Sequence, residues 1–322
     1  MVESARPWEP DYQTHGAKDK MALSNGAEES DLEPTYSDSR PIDVALAKDM
    51  LKEAKQIMDQ LDVVFFLRQG TCLGAVRDKD LIPWDDDLDL GSVIGLNGLS
   101  ERSIDPVVAA FRDHGYSVKV ESYDHYIYVE LMKSSNRMDW ACYRIIDEHI
   151  FHYPGIRLPI RLFTELKEIE FVGTTFFVPN PPEEYLRIKY GPSWATPKRR
   201  EWVKDVVQMI PEASIPGRAG NLRQYLSSHI LRWRAGRLRV LDDADRPVAG
   251  ADVVIAGLSR SKTNKRGYAR FYLPCDDWYA LVVRYDHHEE VLYEEKMTPG
   301  ATYVYRPDAD KASGRLGVLS RQ

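Results

Sequence analysis

From Pro41 onward, apolar residues at Val44, Ala47, Leu51, Ala54, Met58 and Leu61 recur every three or four positions. That period predicts a helix with one buried face, Pro41 fitting its first turn. The period then changes. Val63 to Leu67 is a continuous apolar run and reads as a strand, Gly70-Thr71 as a turn, Cys72 to Arg77 as the start of a short helix, and Asp87 to Leu90 as a second strand. Residues 105–114 read as helical, and the alternation in Tyr116 to Val120, Tyr126 to Met132 and Met138 to Arg144 predicts three strands of a mixed or antiparallel sheet. Between Glu183 and Ile230 the spacing is mainly helical, broken at Gly191-Pro192 and from Pro211 to Gly220. After Gly236, short alternating runs with turn residues between them predict a small β-sandwich.

The organisation predicted is α+β. A mobile tail is expected over 1–40, rich in Glu, Asp, Ser, Pro and Gly, followed by a catalytic unit over 41–230, a sandwich over 236–306 and a tail over 307–322. The 322 residues carry 43 Lys+Arg against 50 Asp+Glu, a net charge of −7, so no global basic field attracts a nucleic-acid backbone. No apolar run approaches the length of about 20 residues that a bilayer span needs, and the N-terminus lacks the basic and apolar regions of a signal peptide. Cytoplasmic residence is the expectation, with peripheral contact to a lipid-linked acceptor left open. Cys72, Cys142 and Cys275 form no CxxC pair, which argues against a disulfide framework or a cysteine-rich zinc site.

The densest chemistry lies in GTCLGAVRDKDLIPWDDDLDLG, Gly70 to Gly91. Residues two apart on a strand share a face, so Asp87 and Asp89 project together while Leu88 and Leu90 enter the core. Two carboxylates that close repel unless a cation neutralises them, and hard oxygen ligands suit Mg²⁺ or Mn²⁺. A solvated acidic loop is the bland alternative. An EF-hand calcium loop fits poorly, because the turn position holds Leu90 and the twelfth position Leu96 where Gly and Glu are required. Gly70-Thr71, entering the helix from Cys72, has the backbone donors and hydroxyl to hold a phosphate, and Arg77 and Lys79 add positive charge.

A glycine-hydroxyl turn, a short helix and an Asp-apolar-Asp strand together resemble the DNA polymerase β-like nucleotidyltransferase superfamily. More narrowly, GTCLGAVRDKDLIPWDDDLDL and the later FVGTTFFVPNPPEEYLRIKYGPSW resemble two blocks of the LicD/fukutin family. The resemblance implies a nucleotidyltransferase-type mixed sheet with flanking helices. It also implies transfer of a phosphorylated alcohol, phosphocholine or an alditol phosphate, from a CDP-activated donor to a hydroxyl of a glycan or glycosylated small molecule, with CMP leaving. Carried over by position, it assigns Asp87 and Asp89 to the metal and Gly70-Thr71 to the phosphate. It places a third carboxylate on a neighbouring strand, best filled by Asp139, which is also a candidate proton acceptor; Asp147, Asp85 and Asp86 are alternatives. Asn at Asp87 or Asp89 is expected to abolish turnover with little loss of fold.

Other features carry less. Tyr185, Tyr190 and Trp194 read as core rather than a base-stacking surface, Lys198-Arg199-Arg200 as a solvated face, and His125, His149 and His152 as ordinary histidines without metal-ligand spacing. Residues 236–306 resemble transthyretin-like or carboxypeptidase regulatory-like sandwiches, which implies a structural or acceptor-binding appendage. Two further readings stand beside phosphoalcohol transfer: transfer of a nucleoside monophosphate from a triphosphate with release of pyrophosphate, and a non-catalytic scaffold that binds a glycan or protein.

Overall fold

The structure, a computed structural model, describes residues 41–152, 155–198, 202–210, 235–274, 276–308 and 315–322. The tail expected over 1–40, Cys275, Arg199-Arg200 and the segment 211–234 lie outside the described residues.

Helix α1, Val44–Gln60, buries Ala47, Met50, Leu51, Ala54, Ile57 and Met58, the stripe its period predicts. It starts later than Pro41, because the Asp43 carboxylate accepts from the N–H groups of Ala45 and Leu46 and so fixes the first turn. Of the apolar run 63–67 only β1, Phe66–Leu67, pairs in a sheet. Gly70-Thr71 is not a turn: both residues lie inside α2, Gln69–Leu73, which runs on into a single π turn, Gly74–Asp78. The chain reverses one residue earlier, at Gln69, whose φ is +42°.

Then follow β2 (Asp87–Val93), α3 (Ile104–Asp113), β3 (Ser117–Ser122), β4 (Tyr126–Lys133) and β5 (Asn136–Tyr143). A hairpin of β6 (His149–His152) and β7 (Ile156–Pro159) leads through the short α4 (Arg161–Thr164) to β8 (Lys167–Phe171), β9 (Thr174–Val178) and α5 (Pro182–Tyr190). The main sheet has the order β3-β4-β5-β2-β1-β9-β8, with β2 and β5 parallel at its centre. One face of that centre, Leu88, Leu90, Met138 and Trp140, is fully buried and joins α1 and α3 in one core. The other face carries the acidic residues.

Helix α6, Trp202–Met209, precedes two sheets. The first contains β10 (Ala235–Val240), β13 (Tyr268–Tyr272), β16 (Thr302–Tyr305) and β18 (Ser320–Arg321). The second contains β11 (Asp252–Ile255), β12 (Ser259–Lys262), β14 (Asp277–Tyr285), β15 (His288–Met297) and β17 (Arg315–Leu316). Leu238 and Tyr303 of the first share a core with Val253, Leu281 and Leu292 of the second. The stretch expected to be a tail over 307–322 instead donates β17 and β18, one to each sheet; the carboxylate of Glu295 accepts from the N–H groups of Val318 and Leu319 and anchors their connection. Val203 and Val207 of α6 pack on Ala280, Val282, Val291 and Tyr293, so the helix is the seam between the second sheet and the rest of the chain. No described helix is long and apolar enough to cross a membrane.

Candidate active site

The parallel register of β2 and β5 builds the site. Asp87 lies opposite Arg137 and Asp89 opposite Asp139. Partners across a ladder share a face, so three carboxylates and a guanidinium project from one side while Leu88 and Met138 project from the other. Asp89 and Asp139 are buried, at 4% and 2% exposure, and Asp87 stands at the more open rim.

Each carboxylate has a distinct environment. Asp89 Oδ1 is 3.1 Å from Arg68 Nη2, and its Oδ2 accepts from the Gly70 N–H at 3.2 Å. Asp87 Oδ2 accepts from Arg137 Nη2 at 2.5 Å. Asp139 Oδ2 accepts from the Tyr128 hydroxyl and lies 3.5 Å from Arg137 Nε, whereas its Oδ1 is buried without a hydrogen-bond partner. Burial pushes Asp89 up to about 7 against the pull of Arg68, and burial raises Asp139 well above the ordinary carboxylate range. A buried carboxylate oxygen with nothing to accept from is costly. A hard divalent cation would satisfy that oxygen and offset the repulsion, but among the described residues the carboxylates whose oxygens all lie within 4.8 Å of one another are Asp85, Asp86 and Asp87, a set that includes Asp87 and neither Asp89 nor Asp139.

The remaining expected residues are placed differently. Thr71 is buried with its hydroxyl accepting from the Asp89 N–H at 2.8 Å, and the Gly70 N–H is likewise turned onto Asp89, so this pair clamps the acidic strand. Gly70 is required by close approach: a Cβ there would stand 2.1 Å from Asp85 Oδ2. Arg77 forms a two-pronged pair with Asp78 at 2.8 and 2.7 Å, and Lys79 is exposed in a left-handed conformation at φ +60°. Neither is brought to the carboxylates. Asp85 and Asp86 extend the acidic field, their oxygens and those of Asp87 lying within 4.8 Å of one another, while Asp147 is exposed in a separate turn. Arg68 also limits the expectation for Asn at position 89: that change strands a guanidinium only 3% exposed, so it costs fold as well as function.

Sequence reasoning missed four groups. Arg68 reaches Asp89 from the row next to β2 and donates through Nε to the Leu90 carbonyl at 2.8 Å. His152, read as ordinary, is buried between Arg68 Nη1 and Lys189 Nζ, each 3.3 Å from a ring nitrogen. Lys189 on α5 is 1% exposed and donates to the Tyr293 hydroxyl at 3.0 Å. Tyr293 belongs to the second C-terminal sheet, so that sheet contributes a hydroxyl to the same buried cluster. Beside it, β15 bulges: Tyr279 pairs with Glu295 and Leu281 with Leu292, leaving Tyr293 and Glu294 against Ala280 alone. Tyr185, Tyr190 and Trp194 pack against the core as expected, and the Tyr185 hydroxyl accepts from the Gln69 N–H at 2.9 Å.

Arginine only donates, so His152 Nε2 accepts and Nδ1 carries the proton; Lys189 Nζ must then accept, which requires its neutral amine. Burial lowers the Lys189 ammonium from 10.5 to about 7, in agreement. Below pH 7 lysine is charged in both folded and unfolded chains. Between 7 and 10.5 the unfolded chain holds a proton that the folded one has lost, so this group makes stability rise with pH across that window. The difference in urea midpoint between wild type and Lys189→Met, measured at pH 7 and pH 9.5, is expected to move in wild type's favour at the higher pH. A difference independent of pH contradicts the neutral amine.

Comparison with known proteins follows the same segment. Residues 62–181 match the family model for LicD/FKTN/FKRP, nucleotidyltransferase domain. The human protein named ribitol-5-phosphate transferase FKTN is 27% identical over 180 residues, 53% of this chain and 38% of its own length. The human ribitol 5-phosphate transferase FKRP is 25% identical over 144 residues, 42% of this chain and 29% of its own length. The chain thus aligns with well under half of either relative. The solution structure of the antibiotic-resistance factor ANT(2'')-Ia covers 59% of this chain and 95% of its own at 13% identity and a TM-score of 0.33. Residues 62–181 are therefore the part of this chain that is similar to the nucleotidyltransferase domain of the LicD/FKTN/FKRP family.

Proposed function

We propose that the chain transfers a phosphorylated alcohol from a CDP-activated donor to a hydroxyl of a glycan or glycosylated small molecule, releasing CMP. The observation that carries this reading is the row Asp87, Asp89 and Asp139 on one face of two parallel strands inside the segment similar to this family's domain. The names of the FKTN and FKRP relatives support an alditol phosphate as the group moved.

A divalent cation, Mg²⁺ or Mn²⁺, held by the three aspartates supplies charge neutralisation for the donor's diphosphate. The protein does the rest. Arg68 and the Gly70 N–H hold Asp89 in one orientation, and Tyr128 does the same for Asp139, so the carboxylates need no reorganisation when substrate arrives. The acceptor oxygen bonds to the phosphorus that carries the alcohol. The bond from that phosphorus to the bridging oxygen breaks, and CMP leaves with the electron pair. The hydroxyl proton passes to the Asp139 carboxylate.

Phosphorus NMR tests the reading with Mg²⁺, a panel of CDP-choline, CDP-glycerol, CDP-ribitol, CTP, ATP and UTP, and a pooled glycan acceptor. CMP appearing with one CDP-alcohol is the expected result. Pyrophosphate released from a triphosphate assigns the chain to nucleotidyl transfer instead. No turnover, together with no metal-dependent nucleotide binding, leaves the scaffold reading.

A further inference from the structure

Arg137 occupies the place in the site where positive charge is most contested. It precedes Asp139 by two residues on β5 and so shares its face, and the ladder sets it opposite Asp87. Its Nη2 donates to Asp87 Oδ2 at 2.5 Å, and its Nε lies 3.5 Å from Asp139 Oδ2. Its side chain is 12% exposed, against 4% for that of Arg68, so it has a path outward that Arg68 lacks.

A guanidinium does not deprotonate, so when a divalent cation competes for Asp87 and Asp139 the arginine cannot relieve the repulsion by losing charge. It has to move. A divalent cation makes the charge of this acidic cluster more positive by two, which favours the approach of the donor's anionic diphosphate. The planar fork that now grips a carboxylate matches a phosphate equally well.

We propose that Arg137 is a ligand for the donor's diphosphate held in reserve: paired with Asp87 before the cation arrives, and turned onto the phosphate once the cation takes that carboxylate. The inference rests on the nucleotide-donor reading above and adds to it a residue that serves cation and donor in opposite senses.

Calorimetry on the full chain separates those senses without turnover. Mn²⁺ is titrated into wild type and Arg137→Met, and CDP is then titrated into each protein in saturating Mn²⁺. Removing the guanidinium is expected to tighten Mn²⁺ binding severalfold and to weaken CDP binding about tenfold, the worth of one charged hydrogen-bonded contact. Mn²⁺ binding that is equal or weaker in Arg137→Met overturns the competition, and unchanged CDP binding overturns the phosphate role. Should the methionine variant melt early, Arg137→Lys replaces it. That variant keeps the charge and loses the fork, so CDP binding falls while Mn²⁺ affinity stays within about twofold of wild type; undiminished CDP binding there also overturns the phosphate role. Wild type that binds Mn²⁺ but no CDP overturns the nucleotide-donor reading itself, which is distinguishable from a failure of Arg137 alone.

Discussion

Asp87→Asn is expected to lower CMP release from the active donor by about a thousandfold while the protein melts within a few degrees of wild type. The rate effect follows from removing one of three charges that hold the cation, a loss of several kcal/mol at about 1.4 kcal/mol per tenfold. The small stability effect follows from position. Asp87 lies at the rim, and its partner Arg137 also faces Asp139, so no buried charge is stranded. Asparagine keeps the shape and an acceptor oxygen. A variant that retains more than a tenth of the wild-type rate is incompatible with Asp87 at the centre of the chemistry.

The largest expected loss of stability comes from Arg68→Met. Arg68 is 3% exposed, pairs with Asp89 at 3.1 Å, satisfies the Leu90 carbonyl and touches His152. Methionine fills much of the volume, but leaves a buried carboxylate without its counter-ion and a carbonyl without a donor, a cost of about 3–5 kcal/mol. Urea unfolding measures it. Adding Asp89→Asn in the same chain is expected to recover part of the loss, because the stranded charge is then gone. Arg68→Met at under about 1 kcal/mol, with no recovery in the double variant, means that the pair does not hold the acidic strand in place.

What the sequence makes legible is the local part of this arrangement. Alternation alone places Asp87 and Asp89 on one face, and the apolar neighbours Met138 and Trp140 correctly turn Asp139 toward the other side of β5. That Asp139 stands beside Asp89 depends on β5 crossing back to pair with β2, a non-local choice that no window of sequence contains. Arg68 gives no signal because it sits two residues before Gly70, where a loop is the ordinary reading.

Lys189 did leave a signal. Tyr185, Leu186, Lys189 and Tyr190 form one helical stripe, so a lysine appears among core positions at core spacing. Gly70 and Thr71 show the converse. Their residue types suit a phosphate loop, yet one gives way to Asp85 and both bond to Asp89, contacts set by a strand almost twenty residues away. The β15 bulge that leaves Tyr293 and Glu294 against Ala280 is a register irregularity with no marker in the local sequence, although it brings a second sheet up to Lys189. Burial and the neighbouring Asp87 push Glu294 up to about 7, a trace of the same proximity.

The most direct test of the account is anomalous diffraction from crystals soaked in Mn²⁺, which locates the ion without reference to substrate. The account predicts a peak in contact with Asp87 and with Asp139 Oδ1, on the face shared by β2 and β5, with the Arg137 guanidinium displaced from Asp87. A peak confined to Asp85, Asp86 and Asp87, leaving Asp139 unengaged and Arg137 in place, would contradict it.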